Sequence, residues 1–201
     1  MSARRRLAPE QRRRLIVEAA GRLFGERGYD GTRLDAVAAA AGVTKPVLYR
    51  HFADKTALYL ALLERHREDL DSFAGAIPPE GPLGARLRAV LEVWLDYVQA
   101  HDYAWRMLFR DTGGGDAVHA YRVEVHARAR AVLVALIREL APAPIPEHEL
   151  EPLAELLSMG MASLVLWWIE TPGVERAAVL DAIARVWTGV LTSGAGAGAA
   201  A

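Results

Sequence analysis

The sequence predicts an all-α protein of about nine helices, with a small N-terminal three-helix unit and a larger helical body. Three observations predict it. Alanine, leucine and arginine dominate the 201 residues, and apolar positions recur at spacings of three and four. Valine and threonine form no alternating runs that would read as strands. Stretches carrying proline or glycine, "AIPPEGPLG", "DTGGGD", "APAPIPEHE" and "TPG", interrupt the helical pattern at intervals.

A first helix is expected from Pro9 to Arg27. Pro9 suits a first turn, Leu15, Ala19, Leu23 and Ile16, Ala20, Phe24 form adjoining apolar stripes, and Gly28 supplies a left-handed stop. After the turn "GYDGT", Thr32 is expected to cap a short second helix with Asp35 in the capping-box position, and Leu34, Val37, Ala38 and Ala41 to line its buried side. Gly42 ends it. Thr44 caps a third helix, in which Pro46 is tolerated because first-turn N–H groups have no intrahelical partner, and Val47 and Leu48 pack inward. Asp54 caps a fourth. Longer helices follow over about 54–75, 82–101, 102–112, 116–141, 148–171 and 174–193, and "GAGAGAAA" closes the chain as a low-complexity tail. The expected division is 1–53, 54–193 and 194–201.

Net charge conceals a split. Through Lys55 there are twelve Lys/Arg against six Asp/Glu; the remainder has twelve against nineteen, while the whole chain carries −1. A basic quarter joined to an acidic remainder fits one end docking on a polyanion, and it fits two ordinary solvated surfaces equally well. The stretch "GVTKPVLYRHFADKTAL", residues 42–58, decides between them. A short helix, a glycine turn and a second short helix riding on a longer first one make a helix-turn-helix. The segment "GYDGTRLDAVAAAAGVTKPVLYRHFADKTAL" resembles the DNA-binding domain of the tetracycline-repressor (TetR) family in its Gly-Tyr turn, Ala-rich helix, Ala-Gly-Val, capping Thr, Leu-Tyr-x-His-Phe run and Lys at the start of helix four.

Recognition of duplex DNA needs side chains that reach base edges from the third helix and flanking groups that fix it to phosphates. Lys45, Pro46 and Arg50 stand where they can point away from the core, and Lys45 and Arg50 are the candidates for base contact. The resemblance places Tyr49, His51, Lys55 and Thr44 at the phosphates. Tyr49 and His51 also have a reading as core side chains, Phe52 more so, and Arg50 one as a solvated charge. Arg4, Arg5 and Arg6 form a basic arm of the kind that follows a minor groove or backbone, or a solvated tail. Asp35 stands where many members of the family place a basic or polar DNA contact. It is assigned here to helix capping, with Arg33 as the substitute contact.

The acidic body holds all five tryptophans. The resemblance implies an effector-binding and dimerising domain, with the last two helices pairing across a two-fold axis and a cavity enclosed by helices four to eight. Trp94, Tyr97, Trp105, Phe109, Tyr121, His126, Met159 and Ser163 are the candidate ligand wall, favouring an apolar or aromatic small-molecule effector; each alone also fits a core position. "LAELLSMGMASLVLWWIE" is apolar on almost every side, and Leu157, Met161, Leu164 and Trp168 are the candidate homodimer interface, with Trp187 on the partner helix.

Other classes fare poorly. No cysteine is present, so disulfides, thiolate metal sites and cysteine nucleophiles are excluded. The N-terminus lacks an apolar stretch behind its arginines, and the apolar run from Met159 to Ile169 is short of the roughly 20 residues that span a bilayer, so a cytoplasmic protein with no membrane partner is expected. No G-x-S-x-G, H-E-x-x-H or phosphate-loop motif occurs, and His119 and His126 lie seven apart, outside chelating spacing. No catalytic residue, metal or cofactor is expected. The reading is a DNA-binding regulator, a repressor released from a palindromic operator by its effector; the alternatives are an all-helical enzyme without a recognisable motif and an effector-independent DNA-binding dimer.

Overall fold

The computed structural model describes residues 8–72 and 80–193. Among the described residues there are nine helices and no strand: α1 Pro9–Gly31, α2 Leu34–Ala40, α3 Lys45–His51, α4 Lys55–Ser72, α5 Leu83–Ala100, α6 Asp102–Phe109, α7 Gly115–Leu140, α8 Glu147–Glu170 and α9 Arg176–Ser193. Arg4 to Arg6 and the Gly/Ala tail lie outside the described residues.

The helix-turn-helix forms for local reasons. Gly28 takes φ +69° inside α1 and breaks its helical geometry where the sequence places a stop. Gly42, at φ +64°, turns the chain from α2 into α3. The Asp54 carboxylate accepts the Ala57 N–H at 2.7 Å and caps α4. Val37 and Leu48 are fully buried and Ala38 nearly so, while the apolar residues of α1 meet them from Ile16 to Phe24. Leu15, expected in a stripe, is 37% exposed.

Two capping assignments are corrected. The residue before α2 is Arg33, which makes no side-chain cap, and Thr32 caps backward instead. Buried to 1% exposure, its hydroxyl lies 3.0 Å from the Leu23 carbonyl and 2.8 Å from that of Gly28, on either side of the break in α1. Asp35 therefore has no capping-box partner. Thr44 precedes α3 in extended geometry but likewise makes no side-chain cap.

Two cores share the molecule. The first joins α1–α4 to Met107 and Leu108 of α6 and Val118 and Val125 of α7. The second joins α5, α8, α9, Trp105 and the C-terminal half of α7. The helix-turn-helix thus has no separate hydrophobic core of its own. Close approach of α6 to α1 depends on Gly25: a Cβ there would stand 2.4 Å from the Tyr103 Cβ and 2.9 Å from its Cα.

A polar junction ties the two parts together at the end of α6. Asp111 accepts the Tyr29 N–H at 2.6 Å, the Tyr59 hydroxyl at 2.9 Å and the Gly113 N–H at 3.0 Å, and lies 3.8 Å from the Arg122 guanidinium. Arg122 is 7% exposed and donates to Tyr59 Oη at 2.8 Å and to the Met107 carbonyl at 3.1 Å. Every buried charge here has a partner, which is the condition for charge to be tolerated inside a protein. Burial, the largest influence on the Tyr59 phenol, pushes its pKa up, so the group stays a neutral donor.

Candidate functional site

The outer side of α3 carries Lys45, Pro46, Tyr49 and Arg50, all exposed, while Leu48 is wholly buried and Val47 partly so. One seven-residue helix thereby separates an anchor from a displayed face. Tyr49, at 44% exposure, is not a core aromatic. Thr44 and Arg33 are exposed and His51 is partly buried. Phe52 is in the core at 5% exposure, with the Arg13 guanidinium 5.2 Å from its ring centroid. Lys55 lies over Tyr29, its Nζ 4.4 Å from the ring centroid, and donates a long 3.4 Å bond to the Asp30 carbonyl that leaves other N–H donors to spare.

One feature of this face is not legible in the sequence. Lys45 Nζ donates to Asp35 Oδ1 at 2.8 Å, and Arg33 approaches the other carboxylate oxygen at 3.9 Å. The hydrogen bond from Lys45 holds the Asp35 carboxyl below its usual range and, reciprocally, raises the Lys45 ammonium, so both groups are charged at neutral pH. The ten-residue separation along the chain carried no signal of the pairing.

The body encloses a cavity of about 90 Å³. Its wall includes four of the expected residues, Trp94, Trp105, Phe109 and His126, along with leucines and valines of α5 and α7. Trp105, Phe109 and His126 stack in sequence, with centroids 5.4 and 4.8 Å apart, and Trp94 meets Trp105 edge-on at 5.5 Å. Among the described residues no Lys, Arg, Asp or Glu lines the wall. Trp105 Nε1 and His126 Nε2 are buried without a hydrogen-bond partner. Burial, its first cause, lowers the His126 pKa and favours the neutral ring.

The other four lie elsewhere. Tyr97 hydrogen-bonds His66 Nδ1 at 2.5 Å, and Tyr121 bonds the Glu64 carboxylate, so both hydroxyls are engaged by α4. Met159 and Ser163 face outward on α8. In their place the cavity takes Ser158 and Met161 from the next face of the same helix.

The residues expected at a subunit interface are buried or partly buried within the chain, and Leu157, Met161, Leu164 and Trp187 line a groove between α8 and α9. Leu157 is 3% exposed and Trp187 2%; Met161 and Leu164 are partly buried, and the Trp168 indole donates to the Val174 carbonyl at 3.0 Å. Trp187 and Met161 meet inside, Nε1 to Sδ at 3.3 Å, on the cavity wall. The exposed large apolar side chains of this region are Leu156 at 68%, Met159 at 46% and Trp167 at 51% on α8, with Val186 of α9 at 58%. By length and composition α8 could cross a bilayer, and 28% of its most apolar stretch is buried within the chain.

Comparison with known proteins follows these two regions. A family model described as bacterial regulatory proteins, tetR family, matches residues 16–62, and one described as the tetracyclin repressor-like C-terminal domain matches residues 83–189. The chain is 36% identical over 125 residues to the HTH-type transcriptional activator FasR of Mycolicibacterium smegmatis, covering 62% of this chain and 57% of that one. It is 38% identical over 92 residues to the HTH-type transcriptional regulator TtgR of Pseudomonas putida, 44% of each chain. The chain thus spans about half the length of these curated relatives. A tetR-family transcriptional regulator from Streptomyces coelicolor superposes with a TM-score of 0.74 at 27% identity, covering 94% of this chain and 84% of that one. The fatty acid degradation regulator FadR from Bacillus halodurans shares the fold at a TM-score of 0.70 and 16% identity, over 91% and 96% of the two chains.

Proposed function

Because the chain belongs to the tetracycline-repressor family of bacterial regulatory proteins, we propose that it is a sequence-specific, DNA-binding transcriptional regulator that represses from a near-palindromic operator in the cytoplasm. The observation that carries this reading is the split of α3 into a buried Leu48 and an outward row of Lys45, Pro46, Tyr49 and Arg50. Lys45 and Arg50 read base edges. Thr44, Tyr49, His51 and Lys55 meet phosphates, aided by Arg33 and the arm from Arg4 to Arg6. An enzymatic reading has no support among the relatives, which are named as transcriptional regulators.

The working unit is a homodimer joined through α8 and α9. The outward row Leu156, Gly160, Ser163 and Trp167, apolar at its two large side chains, together with Val186, supports it, since these residues recur at helical spacing on one face. A second copy places two α3 helices about 34–36 Å apart, one helical turn of DNA.

The effector is small, apolar or aromatic, and uncharged where it enters the wall. At about 90 Å³ the empty cavity is smaller than the roughly 300–1,000 Å³ of settled ligand sites, so an occupant must part its walls. That requirement supports a release mechanism. The occupied conformer differs from this one, and α6, which contributes Trp105, Leu108 and Phe109, ends two residues before Asp111 at the junction with the head. An effector releases DNA only as far as it prefers the parted conformer. The same small volume favours a second reading, an operator-binding dimer that answers to no effector.

A mobility-shift titration with the DNA upstream of the protein's own gene, at two salt concentrations, tests the first claim. A shift that weakens steeply with salt and survives excess random duplex is the expected result. A ligand screen for release of that same DNA separates the two readings of the cavity.

A further inference from the structure

We propose that Asp35 is a specificity-determining residue: by pairing with Lys45 it makes that lysine one half of a donor–acceptor edge reading a G·C pair. The inference rests on the DNA-binding reading of α3 and deepens it.

A carboxylate on a surface that meets phosphates is unfavourable, so its position calls for a reason. Capping does not supply one, since α2 has no side-chain cap. Nor does the hydrophobic core, because the Asp35 side chain is 52% exposed and that of Lys45 55%. What Asp35 does is hold Lys45 Nζ at 2.8 Å, across the turn between the two short helices. An ammonium has three N–H donors and a carboxylate about four lone-pair sites, so one mutual bond leaves donors and acceptors free on the outward side.

Such a pair offers a donor beside an acceptor at a fixed separation. In the major groove guanine presents the O6 and N7 acceptors and cytosine the N4 amino donor. Lys45 fits the first and Asp35 the second. Unpaired, a lysine is a flexible point charge that settles on any phosphate. Tethered to Asp35, it can move to the backbone only by leaving a carboxylate beside the phosphates, which penalises every register lacking the matching base pair. Arg33, 3.9 Å from the other oxygen and 84% exposed, lies on the flank where it offsets part of that charge.

The test uses the full chain. Wild-type protein selects duplexes from a random pool; its preferred site is then titrated, alongside a random duplex, with wild type, Asp35→Asn, Lys45→Met and the double variant. Asp35→Asn is expected to weaken the selected site roughly tenfold, in line with the worth of one base contact, and to tighten the random duplex severalfold. The loss is expected to vanish when one G·C pair in each half-site is replaced. In the Lys45→Met background, Asp35→Asn should change selected-site affinity less than twofold. Equal tightening on both duplexes would make Asp35 a general repellent and overturn the proposal, as would equal losses with and without Lys45. Failure of wild type to enrich any sequence would instead overturn the DNA-binding reading itself. Thermal melting should be the same for all four proteins, because neither side chain is buried.

Discussion

Replacing Asp111 with alanine should uncouple the head from the body at a cost of about 3–5 kcal/mol. The carboxylate accepts three hydrogen bonds, from Tyr29 N–H, Tyr59 Oη–H and Gly113 N–H, and is the acid paired with Arg122. Each buried donor left unsatisfied costs about 1–3 kcal/mol, and breaking a buried ion pair from one side costs about 3–5 kcal/mol. These penalties overlap, because Arg122 keeps its bonds to Tyr59 and the Met107 carbonyl, so the ion-pair figure sets the scale. Against a typical total of about 5–15 kcal/mol this is a large fraction, and for a chain of this size it lowers Tm by roughly 10 °C. Urea unfolding followed by circular dichroism at fixed protein concentration measures it. The double variant Asp111→Asn/Arg122→Met, which removes both charges, should recover much of the loss. A cost under about 1 kcal/mol for Asp111→Ala, or a double variant worse than the single, would show that the junction is not a coupled buried pair.

Trp167→Asp should yield folded monomers by sedimentation velocity, since the residue is 51% exposed in the chain and its neighbour Trp168 is turned inward; an intact dimer would move the interface off this face. Gly25→Ala should destabilise by about 1–3 kcal/mol, because the new methyl meets the Tyr103 backbone and the helices must separate, and thermal melting reads that directly. Stability should fall as pH drops below 6.5. Burial, the largest cause, lowers the His66 pKa to about 3 in the folded state, so between those values the unfolded chain binds more protons, at up to about 1.4 kcal/mol per pH unit for this group. His66→Asn should flatten that slope in urea titrations at pH 4.5 and 6.5, and an unchanged slope would remove His66 from the account.

Local chemistry made the head legible. Gly28, Gly42, Pro46 and Asp54 each act over a few residues, and a reader of the sequence can place them without knowing what lies across the fold. What stayed hidden depends on partners distant along the chain. Thr32 could be read as a cap looking forward, yet its hydroxyl is engaged by the helix behind it. Tyr97 and Tyr121 look like ligand-wall phenols until α4 is seen to engage both. The outward face of α8 is not legible in the sequence for a different reason. A helix apolar around nearly its whole circumference carries no phase, and a step of one residue turns it about 100°; Trp167 and Trp168 therefore exchange roles without any change in pattern. Asp111 carries little signal because "DTGGGD" reads as a spacer, although an aspartate in a turn commonly bonds the backbone N–H two residues on, as it does at Gly113.

The row of rings formed by Trp94, Trp105, Phe109 and His126 gives the molecule a built-in optical gauge. Indole emission responds to the groups packed on it, and the wall of the cavity holds three of the five tryptophans, two of them in direct ring contact with each other. A guest that pushes Phe109 away from Trp105 would alter that light before any DNA is added, so a screen needs neither label nor operator. A dim, unchanging signal against every guest would point to a sealed interior.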